Sequence, residues 1–291
     1  MLLEVFAYAL SRCAPGGFSS YILQKDRTAA GDGITLPQYP SGGDALLVEE
    51  QYLSRLERVF CNIIDYPAWH PAQQRPPAFY KSYNLIFLDA RCPLASDARH
   101  YGVYTPAVGR GLLLLSQFIL AIEHLRPSGT IVAHLCHIET GPTAQLVYML
   151  DRLARGKILA YKPTFVHAAT GSFFLVAKGV GADAPTQAWM RTYTDGLRAV
   201  WGELASGGLV LEDRHLDWIV SGRDVYRENG GYYLRLVDLA RQGKLWKTEE
   251  AALEELVEER NRAAPPSNMP HWSLPNFNQR TVNGGRRRGP K

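Results

Sequence analysis

Cys13-Ala-Pro-Gly-Gly-Phe-Ser19 stands between an apolar run, Leu3 to Leu10, and a helical one that begins near Phe18. Strand, glycine turn, helix is the order in which open α/β sheets present backbone to a ligand. The glycines let the chain approach closely, and the helix start offers unpaired N–H groups. A Pro-Gly-Gly turn linking any strand to any helix carries the same letters, so the meaning of this loop depends on its surroundings.

Downstream, short β-rich runs alternate with longer helical ones, without an internal repeat. Gly33 to Leu36 reads as a short strand, and Leu46 to Arg58 as a helix with Leu46, Leu53 and Leu56 on its apolar side. Val59 to Ile64 is a further apolar run, followed by a loop from Asp65 to Phe79 that holds Pro67, Pro71, Pro76 and Pro77. The run NLIFL, Asn84 to Leu88, predicts a buried strand ending on Asp89. From Gly109 to Leu125, apolar residues recur at the helix period: Leu112, Leu115, Phe118, Ile119, Ile122 and Leu125. A Pro127-Ser-Gly129 turn, a strand from Thr130 to Leu135 and a helix from Thr140 to Ala154 follow, the helix tolerating Pro142 in its first turn. Lys157 to Tyr161 and Phe173 to Ala177 are β-like. About seven strands with helices between them predict an α/β fold, a Rossmann-like, doubly wound and mostly parallel sheet.

After Gly181 the pattern is helical only: Pro185 to Ala205, Tyr232 to Gln242 and Thr248 to Ala264. Pro265-Pro266 stops the last of these. The expected division is an α/β domain over 1–183, a helical extension packed on it over 184–264, and a tail over 265–291.

Composition sets the outer bounds. The 291 residues are 46% hydrophobic, 21% charged and 11% aromatic, which excludes wholesale disorder, collagen and a disulfide-stapled mini-protein. No run approaches the roughly 18 uninterrupted apolar residues of a membrane span. The nearest, Gly111 to Leu125, is interrupted by Ser116, Gln117, Glu123 and His124. The N-terminal MLLEVFAYAL lacks a basic start and contains Glu4, so it reads as a first strand and not a leader. Cys13, Cys61, Cys92 and Cys136 are widely spaced, the pattern of reduced thiols in an intracellular protein; neither a metal site nor a disulfide framework is expected. The net charge of +4 is unevenly spread: the tail has no acids and five bases, Arg280, Arg286, Arg287, Arg288 and Lys291, leaving 27 bases against 28 acids in the rest. A neutral body with a basic tail concentrates any general attraction to nucleic acid at one end.

CAPGGFSSYIL followed by GDGITLP resembles the cofactor loop of the FtsJ (RrmJ-like) family of S-adenosylmethionine-dependent ribose 2′-O-methyltransferases. The likeness continues in order. YNLIFLDARCP resembles the strand that ends in the family's aspartate, and LLLLSQFILAIEHLRPSGTIVAHL its helix, P-x-G turn and strand. KPTFVHAATGSFFLVAKG resembles its K-P element and last strand. Together these cover Cys13 to Gly179.

The resemblance implies a methyltransferase fold, S-adenosylmethionine as cofactor and RNA as partner, with no membrane association. The family's Lys-Asp-Lys-Glu tetrad activates a ribose hydroxyl, a weak nucleophile that must be polarised and held in line with the methyl carbon. Asp89 matches the aspartate; otherwise it is a turn or capping residue before Pro93. His134 stands where the second lysine belongs and can act as a base near neutral pH, or is simply a satisfied histidine at a strand end. Lys162 matches the K-P element, or is a solvated strand-end lysine. Ser172 occupies the glutamate position and cannot ionise. The first lysine has no counterpart, since none precedes Lys25, and the domain is read as N-terminally truncated.

On the cofactor side the resemblance assigns Cys13, Ala14, Pro15, Gly16, Gly17 and Phe18 to the loop. The two acids that flank it in relatives fall on Leu10 and Leu36, and Arg12 replaces a glycine. Asp32 is the nearest substitute for the ribose acid, or caps a turn. Asp65 is the candidate for the adenine amino group, or an ordinary loop aspartate. Trp69, His70, Tyr101 and Tyr104 are candidates for stacking on bases, or for packing over a core edge. Two functional expectations result: an RNA ribose methyltransferase, or a catalytically silent module that retains S-adenosylmethionine, RNA or a protein partner. Arg286-Arg-Arg288 is compatible with nuclear entry, and the compartment is left between nucleus and cytoplasm.

Overall fold

The computed structural model describes residues 17–35, 48, 50–68, 83–89, 104–161 and 172–227. The expected strand over Leu3 to Leu10, the loop residues Cys13 to Gly16, and Lys162, Trp69, His70 and Tyr101 lie outside them. So do the expected helices after Tyr232 and the basic tail.

In chain order the main elements are α1 (Gly17–Lys25), β1 (Gly31–Thr35), β2 (Leu56–Phe60), β3 (Tyr83–Leu88), α2 (Pro106–His124), β4 (Leu125–Cys136), α3 (Gly141–Ala154), β5 (Ile158–Tyr161), β6 (Ser172–Val180), α4 (Ala184–Gly207) and α5 (Gly222–Arg227). Short 3₁₀ turns cover Glu50–Arg55, Ile63–Ala68 and Asp213–Leu216. The chain is an α/β protein. Among the described residues β1 and β2 form a parallel pair, and a second sheet runs in the order β3-β4-β6-β5. There β3 and β4 are parallel, while β6 is antiparallel to both of its neighbours.

Strand periodicity explains the layers. Alternate residues of a strand face opposite sides, and both sides of the larger sheet are covered, so Leu85 to Leu88 are apolar without a break. Leu85, Phe87, Val132, Phe174 and Val176 join Ile22 and Leu23 of α1 in one apolar cluster. Ile86, Leu88, Ile131, Ala133, Phe173 and Leu175 join α2, α3 and α4 in the other. The second cluster also takes in Ile34 of β1 and Val59 of β2, so the two sheets share a core.

α2 begins where Thr105 accepts a hydrogen bond from the Val108 N–H and Pro106 enters the first turn. It is the one described helix long and apolar enough to cross a bilayer, and most of that length is buried inside the protein. α4 is capped by Asp183, whose carboxylate accepts from the Thr186 N–H at 3.0 Å. Leu197, Val200, Trp201 and Leu204 carry it into the main core.

Two local readings are corrected. Within the helix expected over Leu46 to Arg58, the described stretch Glu50–Arg55 is a 3₁₀ turn, and Leu56 already begins β2, paired with Gly31. The Arg55 guanidinium donates to the carbonyls of Leu23, Asp26 and Ala29. Charge-assisted bonds of this kind contribute about 1.5–3 kcal/mol each, and they tie the turn to the end of α1 while sheet pairing takes the residues beyond. Likewise, the Pro127-Ser-Gly129 turn lies within β4, which starts at Leu125 opposite Tyr83 and shifts register between Gly129 and Ile131. Ser128 takes a positive φ of 65° to make that irregularity.

Candidate functional site

The carboxyl end of β3 meets that of β4. Leu88 pairs with Ala133, so the next residues on each strand, Asp89 and His134, become neighbours. His134 Nδ1 lies 3.2 Å from Asp89 Oδ1. A carboxylate only accepts, so a hydrogen bond across this contact requires the hydrogen on Nδ1. The two side chains differ in access: His134 is 4% exposed and Asp89 17%. Asp89 is the member that reaches outward, with the imidazole behind it.

The same row continues across the sheet. His134 pairs with Phe174 of β6, and Phe174 with Tyr161, the last residue of β5. The imidazole lies against the Phe174 ring at 4.8 Å between centroids. Phe18, in the first turn of α1, stacks on Phe87 at 5.0 Å and meets Phe174 edge-on at 5.3 Å. The start of α1 is thereby fixed over the face that carries Asp89 and His134. Ser172 is buried and pairs with Cys136, two residues beyond the His134–Phe174 pair on each strand. Three positions of the expected tetrad thus converge on one edge and one face. The chemistry found there is a carboxylate, an imidazole and a hydroxyl. Phe87 and Phe174 were not singled out in sequence; their signal was the alternation along β3 and β6.

The candidate cofactor residues separate. Gly17 opens α1. Asp32 is not at a turn: it is the second residue of β1, buried, and accepts a hydrogen bond from the Tyr83 hydroxyl at 2.9 Å. Tyr83 begins β3 and Asp89 follows its end, six residues or about 20 Å along an extended strand. Asp32 is therefore held toward the far end of β3 from Asp89.

Asp65 sits in the 3₁₀ turn Ile63–Ala68, just past the carboxyl end of β2. Its side chain reaches solvent, yet partial desolvation holds its carboxyl above the usual range. It raises its neighbour in turn: the Cys61 thiol is pushed up to about 12, by burial first and by the Asp65 charge second. Cys61 itself is fixed at the strand end, its N–H donating to the Thr35 carbonyl at 2.9 Å. Tyr104 is half-buried against the main core, the packing alternative of its two readings. Among the described residues, no three His, Cys, Asp or Glu side chains form a group suited to a metal ion.

No protein-family model matches the chain, and no curated protein matches its sequence. It is similar in structure to human methyltransferase-like protein 13 in complex with SAH, at 14% identity over 68% of this chain and 82% of that one, with a TM-score of 0.36. NSun6 from Pyrococcus horikoshii with SFG is 15% identical over 62% of this chain and 48% of that one, TM-score 0.37. An rRNA methylase from Streptococcus thermophilus is 10% identical over 61% and 87%, TM-score 0.31. At these scores the likeness carries no assignment of function, which rests on the residues themselves.

Proposed function

We propose that this chain is an S-adenosylmethionine-dependent methyltransferase of the FtsJ type that acts on an RNA ribose hydroxyl inside the cell, in the nucleus or cytoplasm. The observation that carries the proposal is the Asp89–His134 contact, 3.2 Å across the carboxyl ends of two adjacent parallel strands. Open α/β sheets take their ligands at that edge.

When bound, S-adenosylmethionine supplies a methyl group on a sulfonium, an excellent leaving group. The remaining difficulty is the hydroxyl, and this chain's residues address it. Asp89, the more exposed member, accepts the hydrogen bond of the incoming hydroxyl and receives its proton. His134 donates Nδ1–H to Asp89 and fixes that carboxylate's orientation. The roles are thus shifted from the histidine-as-base expectation, because the imidazole is the buried partner. For the cofactor, two described features fit: α1 opens at Gly17 with the N–H groups of a helix start directed along its axis, and Asp65 offers a partly desolvated carboxylate past β2. Asp32, engaged by Tyr83, is left out of the ribose role. Lys162 and the Cys13–Gly16 loop complete the proposed set on the strength of the sequence resemblance.

A second reading has a specific observation in its favour. Ser172 is buried where the family's glutamate belongs, so one ionisable partner is replaced by a hydroxyl. That favours a module which binds S-adenosylmethionine, RNA or a protein without transferring a methyl group.

Calorimetric titration of S-adenosylmethionine into the purified chain tests both. Micromolar binding that Gly16→Asp weakens, followed by methyl transfer to RNA that Asp89→Ala abolishes, supports the enzyme. Binding without transfer supports the silent module. No heat and no thermal shift at millimolar ligand would overturn both for S-adenosylmethionine.

A further inference from the structure

The turn that carries Asp65 is held from outside by the helix that follows the α/β region. Its polar contacts are successive. The Ile64 carbonyl accepts from Ser116 Oγ of α2 at 3.1 Å. The buried Tyr66 hydroxyl donates to Glu123 and lies 2.7 Å from His124 Nε2. The Pro67 carbonyl accepts from Arg198 of α4 at 2.6 Å. The same guanidinium grips both Glu123 oxygens at 2.8 and 2.9 Å and lies 5.7 Å from the centre of the Tyr66 ring.

One arginine therefore joins three elements: the Asp65 turn through a carbonyl, α2 through a bidentate ion pair, and α4 through its own backbone. A planar guanidinium with five donors can meet these partners together; an ammonium, a single point of charge, cannot reproduce the fork. Asp65 lies between the two clamped residues Ile64 and Tyr66, with Pro67 beyond, so its backbone has little freedom while its carboxylate stays accessible.

We infer that Arg198 is a positioning residue for the cofactor site: α4 sets the place of the Asp65 carboxylate, and through it selectivity for a purine bearing an exocyclic amino group. This rests on the reading of Asp65 as the adenine contact. A carboxylate placed at the exocyclic position accepts from an amino group but meets a second acceptor on the corresponding oxo base, whose N1–H lies one ring atom away, so the pair S-adenosylhomocysteine and S-inosylhomocysteine reports its placement.

The test is calorimetry with both compounds on the wild-type chain and on Arg198→Met, with Glu123→Gln as a milder second variant. The wild type is expected to prefer the adenosyl compound by about tenfold, the worth of one well-placed hydrogen bond to a charged acceptor. In Arg198→Met the preference should fall below about threefold, chiefly through weaker adenosyl binding, and Glu123→Gln should lie between. General destabilisation weakens both compounds equally and leaves their ratio alone. An unchanged ratio in both variants overturns the role of Arg198 while leaving the cofactor reading intact. A wild-type chain that binds neither compound, or binds both equally, overturns the Asp65 reading and the clamp with it.

Discussion

The phenolic hydrogen of Tyr83 is donated to Asp32 over 2.9 Å, joining the first strand of the larger sheet to the first strand of the smaller one with both residues buried. An aspartate that looks in sequence like a ligand acid is, in the folded chain, a tie between sheets. Tyr83→Phe should cost about 1–2 kcal/mol in urea unfolding, as a buried carboxylate loses a donor. Affinity for S-adenosylmethionine should stay within twofold of wild type. A fall of tenfold or more would return Asp32 to the cofactor site.

Asp89→Asn and His134→Gln separate the two members of the polar pair. Removing a positioned proton acceptor typically costs about 10²–10⁴ in rate. Asp89→Asn should fall in that range with cofactor affinity unchanged, read by transfer of a labelled methyl group to RNA. His134→Gln should lose less, because the amide can still donate to Asp89. Equal losses would mean that the imidazole itself meets the substrate.

Cys61 and Asp65 give the protein a pH dependence with a defined sign. With its thiol at about 12 in the folded chain and near 8.5 when unfolded, Cys61 favours the fold below that lower value, and the contribution is lost as pH rises toward 12. Alkylation of native Cys61 at pH 8.5 should be on the order of a thousandfold slower than that of a simple thiol, measured on its peptide by mass spectrometry. Asp65, raised above the usual carboxylate range by desolvation, has the parallel effect at lower pH: its charged form disfavours the fold at neutrality. Asp65→Asn should therefore raise the melting temperature at pH 7, with the advantage vanishing as pH falls through the carboxylate range. It should also weaken adenosyl ligands, the compromise expected of a functional acid.

Gln145 of α3 holds the segment after α4. Its Nε2 donates toward the Asp213 and Val220 carbonyls and Asp217 Oδ1 at 3.1, 2.9 and 3.1 Å, two hydrogens serving three acceptors. One turn earlier, an added Cβ on Gly141 would come within 2.5 Å of Asp213, so glycine permits the close approach. Gln145→Leu should cost about 2 kcal/mol and open the chain near Arg214 and Arg223 to trypsin. Unchanged cleavage there would show that packing alone holds the segment.

Much of the architecture was legible because its signals are local. The helix period of α2 and the unbroken apolar run of β3 each follow from burial of particular residues, and both appear within a few positions of where the sequence puts them. Asp89 and His134 were legible as candidates because strands of predictable length end on them. What could not be read is the pairing that makes them neighbours, since parallel strands meet through residues far apart in the chain. The same holds for Asp32, whose partner lies fifty-one positions away, and for Arg198, which reaches Pro67 across 131. Leu46 to Arg58 was misread for a related reason: its leucines match a helix, but sheet pairing with Gly31 to Thr35 outweighs that preference.

The burial of α4 in the common core changes where this protein can be divided. A chain cut after residue 183 would keep every strand described here, yet would strip α2 and α3 of the cover given by Leu197, Val200, Trp201 and Leu204. The raw apolar surface left behind would favour precipitation over folding. A fragment intended for crystals or for binding assays should therefore run to at least Arg227, and the boundary that matters for handling the protein lies beyond the last described strand.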